Sequence, residues 1–365
     1  MTLVTRWKQA KAARASEMGY PVLSLPPSAK LKSKPFVAVG PRMPTALGVG
    51  FHQIRQSFDI WHVHWLYPTC WMAAPALNAL RVPFVATAHG ADIHIEHETG
   101  YGFRQFDIHD RRVRKFAPKL QHVTAISSEI AIEFQNLGIP EAGIQRISNG
   151  VNFNRLNGAI ANRDQTRRKL GISVDAPVVL SVGRNEPRKG LTFIPEMLDD
   201  LLKIIPNLKW LVIGKDSDKL MDKIAPANKD AVILRAPIRA SNPMDDLPPE
   251  ELADLFGCAD LFVTPSLSEG LPLVLLEAMA SGLPVVGFDS PGVREIVNHQ
   301  EDGLLCEPRN TPAMARNIAT LLTDAAERQR LSASATRKAK AHDWSQISQQ
   351  YLTVYSDIIR NRNAR

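Results

Sequence analysis

The sequence predicts an α/β protein of two domains, each built on a doubly wound parallel sheet with helices on both faces. Three observations lead there. The chain has 365 residues, more than one hydrophobic core usually supports. Its second half alternates short, continuous apolar runs with segments of helical period, the pattern of a parallel sheet buried on both faces. Its first half repeats the alternation less regularly. An apolar fraction of 44% is that of an ordinary globular chain and excludes disordered and fibrous classes.

In the first half, Tyr20–Leu25, Phe36–Val39, Ile60–His64, Phe84–His89 and His122–Ile126 read as strands. Trp7–Met18, Met72–Leu80, Ile108–Phe116 and Ser128–Leu137 read as the helices between them. Asn149-Gly150 and the polar stretch Asn152–Arg168 read as the link between domains. The second half opens with strand Pro177–Val182, helix Leu191–Ile205 closed by Pro206, and strand Leu208–Ile213. Strand Ala231–Leu234, helix Pro249–Gly257, strand Leu261–Thr264 and helix Pro272–Ser281 follow, then strand Pro284–Phe288 and helix Val293–Asn298. Pro272 suits a first helical turn and Gly282 a left-handed helix stop. The resulting division is 1–170, 171–342 and a final helix within 343–365 that crosses back onto the first domain.

Composition narrows the function. Arg6, Lys8 and Lys11 interrupt the N-terminus without an apolar run behind them, so no secretory signal is read. The most apolar stretch, Leu271–Phe288, carries Glu277 and two glycine-containing turns, which excludes a membrane span. Three widely spaced cysteines, Cys70, Cys258 and Cys306, give neither a disulfide framework nor a zinc site, and the expected compartment is a reducing cytoplasm. Residues 1–170 carry 22 Lys/Arg against 11 Asp/Glu, and the remainder 22 against 26. A basic first half fits an anionic partner, such as the inner face of a membrane or an acidic glycan, or a merely solvated surface. His62 and His64 share a strand face near His94, His97 and His109, yet carboxylate partners at ligand spacing are missing, and no metal is expected.

The chemistry concentrates in Ser266-Leu-Ser-Glu269-Gly270-Leu271-Pro272-Leu273-Val-Leu-Leu-Glu277-Ala-Met-Ala-Ser-Gly282-Leu-Pro-Val-Val. A strand ends at Thr264, a turn follows, and a helix opens near Pro272, so free N–H groups face the carboxyl edge of the sheet, where open α/β sheets bind ligands. Glu269 sits in the turn, and Glu277 one to two turns into the helix, able to accept hydrogen bonds from vicinal hydroxyls. A second block, Val182-Gly-Arg184-Asn-Glu-Pro-Arg188-Lys189-Gly190, places cations after the first strand of the second domain, where they can grip a diphosphate.

These residues resemble glycosyltransferase family 4, the retaining group 1 glycosyltransferases of GT-B architecture, whose signature is Glu-x7-Glu in this strand–turn–helix setting. Glu269 and Glu277 hold that spacing, and Ser266, Gly270, Ala278, Gly282 and Pro284 also fit. The resemblance implies two Rossmann-like domains facing a central cleft. It implies transfer of a sugar from a nucleoside diphosphate sugar to a hydroxyl acceptor, with a lipid-linked or growing cell-surface glycan as the acceptor class it suggests. Arg184 and Lys189 would bind the donor diphosphate with the amides near Gly270–Leu273, Glu277 the ribose and Glu269 the donor sugar. Thr87-Ala-His89-Gly90-Ala-Asp92 matches a strand end whose histidine lies near that sugar, which implies a catalytic role for His89 beside Arg184, Lys189 and Glu269. Asp59-Ile-Trp-His62-Val-His64, Ala125-Ile-Ser127 and Ser148-Asn149-Gly150-Val151-Asn152 carry the likeness across most of the chain. No cofactor beyond the co-substrate and no nucleic acid is implied.

The pattern departs from the family in two places. No glycine precedes Gly19, so either the true N-terminus lies upstream or the usual Gly-rich first loop is missing. Arg235-Ala236-Pro237 replaces a glycine near the base pocket, and the base cannot be read. A catalytically silent nucleotide-sugar-binding subunit supporting a partner enzyme is the rival reading. A dinucleotide-dependent oxidoreductase is disfavoured because no Gly-x-Gly-x-x-Gly follows a strand.

Overall fold

The computed structural model describes residues 3–6, 22–25, 42–96, 100–239 and 247–363. The expected helix Trp7–Met18 and strand Phe36–Val39 lie outside these residues, as does most of the N-terminal stretch in which no glycine precedes Gly19. The described residues divide into two units. One holds those up to Ser148 and from Ser348 onward, and the other those from Asn149 to Ile347.

In the N-terminal unit, β1 (Leu3–Arg6) pairs in parallel with β2 (Val22–Leu25). Helix α1 (Arg42–Gln56) packs on α2 (Trp71–Ala79). Pro44, Gly48 and Gly50 hide α1 from pattern reading, and Gly50 faces the partner helix, where an added Cβ would stand 3.9 Å from Ala76 and Leu80. Strands β3 (Trp61–His64), β4 (Phe84–Ala88), β5 (Val123–Ala125) and β6 (Ile144–Arg146) form a parallel sheet in chain order. Helices α3 (Asp107–Phe116) and α4 (Ser128–Asn136) lie between its strands, and Ser127 Oγ caps α4 by accepting from Ile130 N at 3.3 Å.

The stretch 152–168, read as a link, is helical and belongs to the C-terminal unit. It forms α5 (Phe153–Gly158) and most of α6 (Arg163–Lys169). Its polar residues are caps and buried pairs, and so they mimic a linker composition. Asn152 Oδ1 accepts from Arg155 N, and Arg163 and Arg167 hold the two oxygens of Asp260 at 2.5 and 2.8 Å. The sheet of this unit comprises β7 (Val178–Val182), β8 (Lys209–Ile213), β9 (Val232–Arg235), β10 (Leu261–Thr264), β11 (Val285–Phe288) and β12 (Gly303–Cys306). Its helices are α7 (Ile194–Ile204), α8 (Glu250–Gly257), α9 (Leu273–Ala280), α10 (Val293–Ile296), α11 (Thr311–Thr323) and α12 (Ala325–Ala341). The spatial order is β12-β11-β10-β7-β8-β9, all parallel.

That order fixes where a ligand can sit. The chain winds outward one way from β7 and the other way from β10, so the loops leaving these two central strands diverge and open a crevice at their carboxyl ends. Buried Trp210 and Phe288 anchor the core, and Trp210 Nε1 donates to Ser181 Oγ at 3.1 Å. Helix α13 (Trp344–Asn363) begins in the C-terminal unit, and its portion from Ser348 belongs to the N-terminal one.

Candidate functional site

The loop after β7 and the loop after β10 touch at the switch point. Gly190 has φ 63°, and a Cβ there would stand 1.9 Å from the Pro265 carbonyl oxygen, so only glycine permits this contact. Leu267 N donates to Arg188 O at 2.7 Å across the same junction.

Glu269, 6% exposed, is held from every side. Lys189 Nζ lies 2.5 Å from Oε1 and Arg188 Nη1 3.0 Å from Oε2, while Ser266 Oγ donates to Oε1 at 3.0 Å. Its own amide donates to Pro291 O at 2.9 Å. Gly292, at φ 76°, lets that segment close over it, because a Cβ there would meet Glu269 O at 2.4 Å. Arg184 is more exposed and pairs with Glu186 at 2.7 Å. Three cations thus face two carboxylates, Glu186 and Glu269, and the loop keeps a positive excess suited to an anion.

Helix α9 starts after Pro272, one residue later than read, and has no side-chain cap, so its first amides have no side-chain acceptor, while Leu275 N donates to Pro272 O at 3.0 Å. Gly270, Leu271 and Pro272 are buried, and Leu273 is exposed. Gly282 adopts φ 77° as the helix stop, with Leu283 N donating to Ala278 O at 3.0 Å. Glu277 projects from the second turn. Burial pushes its carboxyl up to about 7, and it has no hydrogen-bond or ion-pair partner among the described residues. A half-buried carboxyl without a partner is costly unless a ligand completes it.

The structure therefore brings Lys189, Glu269 and Gly270–Leu273 together where the two loops meet, with Arg184 on the loop after β7 and Glu277 on helix α9. It adds Arg188, which the sequence shows only as one cation in a basic run. The signal was its place beside Lys189, but nothing in the pattern says which of the two would reach the carboxylate.

His89 lies in the N-terminal unit at the carboxyl edge of the four-stranded sheet. Its Nε2 is 2.9 Å from His64 Nδ1, and His64 stacks on His62 with centroids 4.3 Å apart. His62 lies 2.5 Å from the Tyr355 hydroxyl of α13 and 2.6 Å from Thr87 Oγ1, which in turn bonds Thr124. Burial, then the neighbouring His64, lowers His89 to about 4; burial, then His64 and His89, lowers His62 to about 3. All are uncharged at neutral pH, so His89 offers a hydrogen-bonding group there and not a cation. Among the described residues no group of three His, Cys, Asp or Glu side chains could hold a metal ion. His97 lies outside them.

The basic residues of α3, Arg111, Arg112, Arg114 and Lys115, are partly engaged. Arg114 pairs with Asp110 at 2.6 Å, and Arg112 donates to the Tyr67 hydroxyl at 3.2 Å and lies 5.0 Å from the Trp71 ring centroid. Arg111 and Lys115 are exposed. No helix of the described residues is long and apolar enough to cross a membrane.

Two family models match the chain: "Glycosyl transferases group 1" over residues 162–338 and "Glycosyltransferase Family 4" over residues 2–155. A D-inositol 3-phosphate glycosyltransferase of Corynebacterium efficiens is 34% identical over 196 residues, 53% of this chain and 46% of the relative. An N-acetyl-alpha-D-glucosaminyl L-malate synthase of Bacillus anthracis is 25% identical over 324 residues, 84% of this chain and 77% of the relative. For several of the curated relatives the matched region is only 46–60% of their own length. The structure of Anabaena Alr3699/HepE in complex with UDP-glucose is similar with a TM-score of 0.69 at 21% identity, covering 94% of this chain and 88% of that one.

Proposed function

Because this chain belongs to the group 1, family 4 glycosyltransferases and has their GT-B fold, we propose that it moves a sugar from a nucleoside diphosphate sugar to a hydroxyl acceptor with retention of configuration. The observation that carries this reading is the pairing of a caged Glu269 with a partnerless Glu277 eight residues on, beside a loop with excess positive charge. The Anabaena relative's bound UDP-glucose supports a donor of that class.

Arg184, Lys189 and the first-turn amides of α9 stabilise the charge that builds on the departing diphosphate, and such preorganised stabilisation usually lowers the barrier more than any other effect. Glu277 accepts from the two ribose hydroxyls, and Glu269 from hydroxyls of the donor sugar. As the C1–O bond breaks, the centre becomes oxocarbenium-like. The acceptor oxygen bonds to C1 from the face the diphosphate leaves, and its proton passes to a departing diphosphate oxygen. The neutral His89 supplies a hydrogen bond to the donor sugar. The acceptor, a lipid-linked or growing cell-surface glycan, belongs to the N-terminal unit.

A thermal-shift screen of UDP-, GDP- and ADP-sugars tests the donor site, since a ligand that binds only the native state stabilises it by mass action. One donor class should raise the melting temperature, and both that shift and any turnover should survive EDTA, because the positive field comes from side chains and amides. No shift with any nucleotide sugar would end the proposal. Loss on chelation with recovery on added manganese would replace its metal-free form.

The N-terminal unit is proposed to dock peripherally on the anionic face of a membrane through Arg111 and Lys115 of α3 and the exposed Lys119 that follows it. Such residues contribute about 1 kcal/mol each near an anionic surface, and salt weakens them as the Debye length shrinks to about 3 Å at 1 M. Anionic liposomes should therefore sediment the protein at low salt and release it at high salt, and changing all three residues to Gln should abolish binding. Equal sedimentation with neutral liposomes would reduce the patch to a solvated surface.

A further inference from the structure

The residue that follows β3 is strained. Trp65 has φ 74° and ψ 109°, a backbone conformation that bulky L-residues almost never adopt. It is nevertheless fixed by its surroundings. Trp65 N donates to Thr87 O at 2.8 Å, and its own carbonyl accepts from Cys70 N at 3.0 Å. Fully buried Asp92 ties the same turn to His89: one carboxylate oxygen accepts from Leu66 N at 2.6 Å, the other from His89 N at 2.8 Å. Strain of this kind persists where the surroundings over-determine it, most often at functional sites.

What the strain achieves is to keep an indole at the surface beside His89. Trp65 is 38% exposed, its ring centroid 5.8 Å from the His89 ring and 6.1 Å from that of Phe103, itself 37% exposed. Phe103 is brought there by its amide, which donates to Ala91 O at 2.7 Å on the same loop as Asp92. The Trp65 indole N–H has no hydrogen-bond partner among the described residues. The patch joins flat apolar faces to hydrogen-bonding groups that are uncharged at neutral pH, His64 and His89. The nearby cation Arg112 is engaged by Trp71 and Tyr67.

We infer that Trp65 and Phe103 form a stacking platform for a pyranose ring of the acceptor. A sugar ring has a C–H face that packs on an aromatic plane and a rim of neutral hydroxyls for the indole N–H and His64, whereas an anionic headgroup would find no free cation at this patch among the described residues. The inference rests on the glycosyltransferase reading for its choice of occupant. The full chain is tested by saturation-transfer NMR with methyl glycosides of glucose, mannose, galactose and N-acetylglucosamine, which needs no donor. At least one glycoside should receive saturation, strongest on one ring face. Trp65→Ala and Phe103→Ala should each abolish it, and Trp65→Phe should retain part. In transfer assays with a bound donor, Trp65→Ala should raise the acceptor KM at least tenfold while leaving donor affinity within twofold. No saturation of any glycoside by the wild type, or equal saturation by Trp65→Ala, would overturn the platform. Failure of every nucleotide sugar to bind would instead sink the donor reading, and the NMR result would stand apart from it.

Discussion

Glu269→Ala will destabilise the C-terminal unit by about 3–5 kcal/mol, because it removes the buried carboxylate that two poorly exposed cations share. Arg188 and Lys189, 8% and 16% exposed, would keep their positive charge with the Glu269 carboxylate gone, and Arg188 would retain the weaker Glu186 contact at 3.8 Å and the Ser268 carbonyl. The loss is larger than a surface ion pair could give, since exposed pairs contribute about 0–1 kcal/mol. The Ser266 hydroxyl, which donates to the same carboxylate, would also lose its acceptor. Glu269→Gln keeps the shape and one acceptor oxygen, so it should recover part of the stability but not the charge balance. Urea unfolding of the two variants and the parent checks this directly. A change below about 1 kcal/mol in Glu269→Ala would mean that the cage is not what holds the two loops together. In the donor complex the same carboxylate has a second task, so Glu269→Gln should lose transfer even where it keeps the fold.

How far the sequence reveals this molecule depends on what each segment uses to hold itself. Strand β10 and helix α9 are legible almost to the residue, because a continuous apolar run, a proline and a glycine each mark a boundary with its own physical cause. Strand β12 and helices α11 and α12 escape that reading, although Asn310 and Asp324 cap the two helices in the usual way. Gly303, Pro308 and Pro312 mark boundaries around β12 and the start of α11, but no Gly or Pro separates α11 from α12, and the short strand Gly303–Cys306 gains its place from pairing with β11. The stretch 152–168 misleads for the opposite reason. Arg163 and Arg167 look like solvated charge, yet Arg167 is 1% exposed and donates to three backbone carbonyls besides Asp260. Of the site, the two glutamates and Lys189 could be placed from spacing within a strand–turn–helix. That Arg188 shares the carboxylate, that Glu277 is left without a partner, and that Trp65 is strained against His89 depend on contacts distant in sequence, which no local pattern encodes.

Glu277→Ala should weaken donor binding by roughly 2–5 kcal/mol, about thirtyfold or more, because it removes the acceptor of two ribose hydroxyls from a desolvated position. The same carboxyl makes the effect depend on pH. Its pKa is about 7 in the folded chain against an ordinary value of 4.5, raised by burial alone. Between those two values the folded chain holds a proton that the unfolded chain has released. Stability therefore falls as pH rises across that window, by at most on the order of 3 kcal/mol, at ~1.4 kcal/mol per pH unit. Donor binding runs the other way. The ionised carboxylate is the better acceptor, so affinity should rise as pH increases through about 7 in the parent. Glu277→Gln separates the two. It should be more stable than the parent at pH 8 by a margin that vanishes near pH 4.5, and its donor affinity should be weaker and lack this rise with pH. Calorimetric titration of the bound nucleotide sugar at pH 5.5, 6.5 and 8, alongside urea unfolding at the same values, reads both. If Glu277→Gln binds donor as tightly as the parent at pH 8, the carboxylate does not hold the ribose. The partnerless charge in α9 would then be a stability cost with no gain in binding.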